Sequence, residues 1–117
     1  MNIWEELNYF TVSEFTNPDK MNPKLLHKLD DVRHVAGLTI FITSSFRVGD
    51  AGAHGDGDAV DIADNKTGEE ISSRWRHKIL AAAYAAGFKR IGSYDKHLHL
   101  DVSLTRIQEV SWIGKSS

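Results

Sequence analysis

Two short segments of the sequence place histidine and aspartate at spacings that would suit metal binding. The first segment, residues 53–61, has His54 seven positions before Asp61. Asp61 lies in an apolar run, Ala59–Ala63, where a carboxylate is costly to bury unless it is paired or binds a cation. The intervening glycines would let the chain fold back and bring His54 toward Asp61. Taken alone, the segment fits a metal site and a mobile acidic loop with a turn-capping aspartate about equally well.

The second segment, residues 97–101, alternates polar and apolar residues, which is typical of a half-buried β-strand. His97, His99 and Asp101 would share one face of that strand, while Leu98 and Leu100 would point to the core. Zinc binds neutral histidine nitrogen and carboxylate oxygen, and a catalytic zinc site keeps three protein ligands and one open position. Two histidines on one strand face would supply part of such a site. A solvated polar strand face is the alternative.

The two segments together favour a metal site more strongly than either does alone. Arg47 ends the run Thr43–Arg47, just before the glycine-rich loop. Its guanidinium there would bind a peptide carboxylate or a developing oxyanion; a surface arginine is the alternative. Three other histidines lie on predicted helices among charged neighbours, and we expect them at the surface: His27, His34 and His77.

Composition narrows the classes of protein and of site. The chain has 117 residues, 41% hydrophobic and 26% charged, which suits one globular domain over residues 1–117. The net charge of −2 demands neither nucleic acid nor an anionic membrane as a partner. Without cysteine, a metal must bind histidine, aspartate or glutamate. No apolar run approaches the roughly 20 residues of a membrane span, so we expect no membrane insertion. We also expect a monomer.

Hydrophobic periodicity and turn residues predict an α+β fold, with a small, largely antiparallel sheet and helices packed on one side. The first twenty residues read as irregular, apart from one short helical turn. The last two strands are expected to form a hairpin around a tight turn. The predicted helices are 22–37 and 71–86, and the predicted strands are 38–43, 58–62, 89–93 and 97–103.

The motifs resemble those of the zinc D-Ala-D-Ala carboxypeptidase-like metallopeptidases, and in particular their short phage-type forms, whose fold is shared with the hedgehog signalling domain. The family pattern His-x-x-Gly-x-Ala-x-Asp is matched by His54, Gly57, Ala59 and Asp61. A downstream His-x-His is matched by His97 and His99. An upstream Ser-x-Phe-Arg element is matched at residues 44–47. The resemblance spans roughly residues 10–114, nearly the whole chain.

The resemblance implies a role for each matched residue. His54, Asp61 and His99 would be the zinc ligands, and Arg47 would stabilise the polarised carbonyl. His97 would lie beside the metal and contact the substrate or the attacking water. Many relatives carry a catalytic acid three residues before the last ligand, where this chain has Lys96.

The general base is therefore open between Asp95 and His97. We favour His97, because an imidazole with a pKa near 6.5 suits proton transfer at neutral pH, whereas a carboxylate near 4 would need an upward shift.

The same resemblance implies that the substrate is a peptidoglycan stem peptide, cut at a D-Ala-D-Ala or an L-Ala-D-Glu bond. Alternatives are a non-catalytic, zinc-stabilised binding module of the same fold and a cytoplasmic D-Ala-D-Ala dipeptidase. The N-terminus lacks the pattern of a secretory signal, so we expect synthesis in the cytoplasm and release to the wall by a separate, phage-type route, as for an endolysin. Three loop carboxylates are an alternative calcium site, although a solvated acidic loop is favoured: Asp50, Asp56 and Asp58.

Overall fold

A computed structural model of the chain describes residues 2–115. It is an α+β fold, as predicted, with three α-helices and a five-stranded sheet. Two 3-10 turns, Val12–Glu14 and Pro18–Lys20, follow the first helix. The helices are α1 (Ile3–Glu6), α2 (Pro23–Ala36) and α3 (Ser73–Ala85), and the strands are β1 (Phe41–Ser44), β2 (Ala59–Ala63), β3 (Arg90–Ser93), β4 (Leu98–Asp101) and β5 (Val110–Ile113).

The two long helices begin and end at residues whose types explain their bounds. The side chain of Asn22 accepts a hydrogen bond from the backbone N–H of Lys24 at 2.9 Å, which caps the start of α2. Gly37 ends α2 in the left-handed region at φ 65°, which glycine adopts without strain. Helix α3 begins two residues later than predicted because the hydroxyl of Ser72 caps it, accepting from the N–H of Trp75. No helix within residues 2–115 combines the length and apolar character needed to cross a membrane.

The strand order in the sheet is β1-β2-β4-β3-β5, and three of its four pairings are antiparallel. The fourth is parallel and joins β3 to β5, so the sheet is mixed rather than purely antiparallel. Strand β5 was absent from the sequence prediction. A four-residue strand is too short to show a clear alternation of apolar and polar residues, and β5 forms because it pairs with the distant strand β3.

The predicted β3–β4 hairpin is present, and the backbone N–H of Tyr94 donates to the carbonyl of His97 across its turn at 3.0 Å. Apolar side chains on one face of the sheet join those of α2 and α3 in the core, with Leu98 and Leu100 of β4 fully buried. Because strand side chains alternate, His99 lies on the opposite face. That face carries the candidate site.

Candidate metal centre

The three predicted metal ligands come together on the sheet face opposite the helices. The carboxylate Oδ1 of Asp61 lies 3.2 Å from Nε2 of His54 and 3.2 Å from Nδ1 of His99. One donor atom from each residue lies within 4.8 Å of the other two. Two donors that each lie about 2.1 Å from one ion, at a tetrahedral angle, are about 3.4 Å apart. The two separations from Asp61 are therefore close to those expected between ligands that share one metal ion.

Strand register and one tight loop bring these residues together. Asp61 and His99 are direct partners in the antiparallel pairing of β2 with β4. His54 comes from the preceding loop, which closes through a 3.1 Å hydrogen bond from the N–H of Arg47 to the carbonyl of His54. Gly57 has φ 76°, and a Cβ there would collide with the carbonyl oxygen of Lys20. The glycine of the motif is therefore required by the loop backbone.

The hydrogen bond on the far side of the His54 ring fixes which nitrogen faces the cluster. Nδ1 of His54 lies 2.8 Å from the backbone carbonyl of Ser45. A carbonyl only accepts, so Nδ1 carries the proton and Nε2 presents its lone pair to Asp61. Ser45 is itself held, since its hydroxyl accepts from the N–H of Thr16 at 2.9 Å. His54 is buried, with 5% of its surface exposed.

His99 presents the other nitrogen. Its Nε2 lies 2.7 Å from Oδ2 of Asp101, a carboxylate that is 1% exposed. An ionised carboxylate also only accepts, so Nε2 carries the proton and Nδ1 presents a lone pair toward Asp61. Two imidazole lone pairs and a carboxylate oxygen therefore face one another. These three electron-pair donors can be stabilised by added protons or by one cation that all three bind.

The charges of the cluster favour a cation. Burial alone would raise the pKa of Asp61, but the His54 and His99 rings beside its carboxylate outweigh burial and hold that pKa well below its usual range. Burial would lower the pKa of His99, but the carboxylates of Asp101 and Asp61 on either side of the ring favour its protonated form and raise that pKa. The site thus keeps an ionised carboxylate at neutral pH and stabilises positive charge beside it.

His97 borders the cluster on the same strand face, as the alternation predicted. Its Nε2 lies 3.8 Å from Oδ1 of Asp61. The ring of Tyr94 stacks on the His97 ring, with centroids 4.3 Å apart and planes 12° apart. Burial lowers the pKa of His97, which favours the neutral imidazole that can accept a proton.

Arg47 also lies at the cluster, but its first contact is with a metal ligand. Its Nη2 donates to Oδ2 of Asp61 at 2.8 Å, and its Nε donates to the hydroxyl of Ser44 at 2.9 Å. Its Nη1 lies a longer 3.4 Å from Oδ2 of Asp50. The side chain is 45% exposed, and three of its five N–H groups have these acceptors. The remaining two can point toward a substrate.

Asp95 lies in the β3–β4 turn, where its backbone carbonyl accepts a hydrogen bond from Ile71 at 3.0 Å. It does not belong to the set of three converging ligands. The other predicted histidines are exposed on α2 and α3, as expected: His27, His34 and His77.

The loop carboxylates considered as a calcium site are engaged separately. Asp50 accepts from the N–H of Gly52, which is the main cause of its lowered pKa. Asp58 accepts from the side chain of Asn22 at 2.9 Å, and Asp56 pairs with an arginine of the β4–β5 loop. Within residues 2–115, the histidine–aspartate cluster is the one group of three or more candidate ligands that converges.

Sequence reasoning missed an aromatic wall beside the cluster. The indole of Trp112 in β5 lies over Gly92, where a Cβ would collide with it, and its ring centroid is 5.3 Å from that of His99. Its Nε1 donates to the hydroxyl of Tyr94 at 2.9 Å. A glycine within a predicted strand was the one available signal, because it often marks the close approach of another group.

Comparison with known proteins adds no family assignment: no family model matches the sequence, and a search of curated proteins finds no match.

Proposed function

We propose that this protein is a zinc-dependent peptidase that hydrolyses an amide bond in peptidoglycan stem peptides. The observation that carries the proposal is the convergence of Nε2 of His54, Oδ1 of Asp61 and Nδ1 of His99 at metal-ligand spacing. Each histidine is held from behind so that its lone pair faces the cluster. Proteins rarely place three lone-pair donors together without a cation to bind.

The donor set favours zinc over the harder cations. Two imidazole nitrogens and one carboxylate oxygen are typical zinc ligands, whereas magnesium and calcium prefer oxygen. Three protein ligands leave one position open, as in catalytic sites. When bound, zinc supplies a Lewis acid that polarises a carbonyl and lowers the pKa of water toward about 7.

The surrounding side chains supply the other requirements of amide hydrolysis. His97 takes a proton from the attacking water and returns it to the leaving amine, since its Nε2 faces the cluster and its lowered pKa favours the neutral form. The two N–H groups of Arg47 that have no acceptor among residues 2–115 orient the scissile carbonyl and stabilise its negative charge. Asp95 remains the alternative base.

The substrate class is supported by the motif resemblance. The sequence pattern from His54 to Asp61, followed by His97 and His99, resembles that of enzymes that cut D-Ala-D-Ala or L-Ala-D-Glu bonds. A pocket of about 320 Å³ adjoins His97 and is lined in part by Thr43, Lys66 and Lys96. Its size suits a few residues of a peptide, and its lysines suit the carboxylates of a stem peptide.

A zinc-stabilised binding module is the second candidate. The observation that favours it is the ion pair between Arg47 and Asp61. An arginine that holds a metal-binding carboxylate in place is less available to a substrate. Lys96, at the position where relatives carry a catalytic acid, favours it as well. Both candidates bind zinc, so only turnover separates them.

The decisive experiment is mass analysis of fragments released when the zinc-loaded protein is incubated with purified cell-wall sacculi. We expect peptide fragments that identify the scissile bond, and none from the chelated protein or from the His99→Ala variant. A wild-type protein that holds zinc and folds but releases no fragment would establish the binding module. Turnover of free D-Ala-D-Ala without release from sacculi would instead indicate a dipeptidase.

A pair of conservative variants identifies the base. If His97 is the base, His97→Gln abolishes turnover while zinc stays bound, and Asp95→Asn is mild. The reverse pattern would make Asp95 the base and leave His97 to position the substrate. Zinc content is measured in both variants, so that loss of metal is not mistaken for loss of the base.

A further inference from the structure

Asp101 lies on the side of His99 that faces away from Asp61, and it forms three hydrogen bonds there. This carboxylate is almost fully buried, and both of its oxygens are used. Oδ2 accepts from Nε2 of His99 at 2.7 Å. Oδ1 accepts from Nε of Arg90 at 2.7 Å and from the backbone N–H of Ser103 at 3.1 Å. Arg90 and the Ser103 N–H can only donate, and the guanidinium beside Asp101 favours the ionised carboxylate, whose Oδ2 is then an acceptor for Nε2 of His99.

Arg90 is held as firmly as the carboxylate that it contacts. It is the direct strand partner of Asp101 in the β3–β4 pairing, and its side chain is 14% exposed. Its Nη1 donates to the carbonyl of Ile107 at 2.8 Å, and its guanidinium lies 5.3 Å from the centroid of the Trp112 ring. With Arg90 fixed, the Asp101 carboxylate cannot turn away from His99.

A histidine ring can bind a metal through either nitrogen, and the hydrogen bond on the opposite nitrogen decides which one it uses. His54 and His99 use opposite nitrogens here, because Ser45 takes the Nδ1 proton of the first and Asp101 takes the Nε2 proton of the second. The Ser45 partner is a backbone carbonyl that any residue would supply. Asp101 is a side chain, so the choice at His99 depends on sequence.

We propose that Asp101, held in place by Arg90, is a positioning residue that fixes the proton of His99 on Nε2 and thereby selects Nδ1 as the metal-binding nitrogen. This inference rests on the proposed zinc centre and names the part of the chain that sets its ligand geometry. Asp101 itself does not touch the metal or the substrate.

The isosteric variant Asp101→Asn tests the proposal. An asparagine that turns its oxygen toward Arg90 and Ser103 places its NH₂ group against Nε2 of His99, which then has to accept. The proton moves to Nδ1, and the lone pair needed for the metal is lost. We expect zinc affinity to fall about 10- to 100-fold, the usual loss when such a partner is removed. Asp56→Asn is the matched control, because it makes the same chemical change at an exposed carboxylate that pairs with Arg106 and does not belong to the converging ligands.

Two measurements read out the result. Zinc affinity is measured by competition with a chelator at fixed pH, with folding checked by circular dichroism. The protonated nitrogen of His99 is identified by long-range nitrogen–proton NMR of histidine-labelled protein. We expect zinc-loaded wild type to carry the His99 proton on Nε2, and Asp101→Asn to lose affinity while Asp56→Asn does not.

The wild-type spectrum keeps the proposal testable even if Asp101→Asn fails to fold. A His99 proton on Nδ1 in the zinc-loaded wild type would overturn it directly. A folded Asp101→Asn protein with unchanged zinc affinity would overturn it as well. Either result would leave the proposed function standing, whereas a wild type that binds no zinc would overturn both proposals.

Discussion

The two faces of strands β2 and β4 differ completely in character, although their residues alternate along the same backbone. On the core face, Val60 and Ile62 of β2 and Leu98 and Leu100 of β4 have no exposed surface, and they pack with α2 and α3. On the opposite face, Asp61 and His99 are covered almost as well but face polar groups. One pair of strands thus carries both the core and the candidate metal centre.

Burial of side chains is made favourable in different ways on the two faces. The core face needs only apolar volume, so similar residues can replace one another there. On the site face, each polar atom needs a specific partner, because an unpaired buried group costs about 1–3 kcal/mol. Among residues 2–115, every buried side-chain nitrogen and oxygen has a hydrogen-bond partner. Substitutions on the two faces should therefore give separable effects.

Removal of a ligand on the site face should have the largest effect. We expect wild type to hold about one zinc per chain, and His54→Ala, Asp61→Ala and His99→Ala each to hold essentially none, since few ligands form the site. Metal content after dialysis measures this. Zinc at about 100 times its dissociation constant should stabilise wild type by about 2.7 kcal/mol and leave the variants unchanged. The exposed His34→Ala is the control, and zinc retained in all three ligand variants would refute the site.

On the core face, we expect Leu100→Ala to lower the free energy of unfolding by about 2–5 kcal/mol, through lost burial and a residual cavity. Denaturant titration of the metal-free protein measures this loss. The folded variant should still bind zinc at the same stoichiometry, because its neighbours His99 and Asp101 lie on the other face. Loss of zinc from the folded variant would show that the faces are not independent.

An intermediate effect is expected for Arg47→Lys, which keeps the charge but loses the planar set of donors. If Arg47 acts on the transition state, kcat/KM on wall fragments should fall about 10²-fold or more with zinc retained, as for one oxyanion donor. Steady-state kinetics and metal analysis measure both quantities. Unchanged kcat/KM would limit Arg47 to its ion pair with Asp61.

The smallest effect is expected at Gly92, on the site face of β3. A methyl group there would collide with the indole of Trp112, so Gly92→Ala should cost about 1–3 kcal/mol through overpacking. The double variant with Trp112→Ala should be less destabilised than the sum of the two single variants, because the collision is gone. Additive losses in this cycle would show that Gly92 matters for another reason.

Local patterns of the sequence were enough to predict most helices and strands, and the strand that carries His97 and His99. The Asn22-Pro23 start and the Gly37 end located α2, and the alternation of residues 97–101 placed His97 and His99 on one face. The mixed character of the sheet was missed, because β5 depends on a parallel pairing with a strand about twenty residues away. Trp112 and its contact with His99 were missed for the same reason.

The sequence by itself determined which residue types can bind a metal and which of them share a strand face, because both follow from side-chain chemistry and the two-residue period of a strand. Only the tertiary structure decided that Asp61 lies opposite His99, that Arg47 contacts Asp61, and that Arg90 holds Asp101 behind His99. These pairings join residues from 11 to 38 positions apart. Their distances are set by strand register and by packing of the whole chain, which no local pattern encodes.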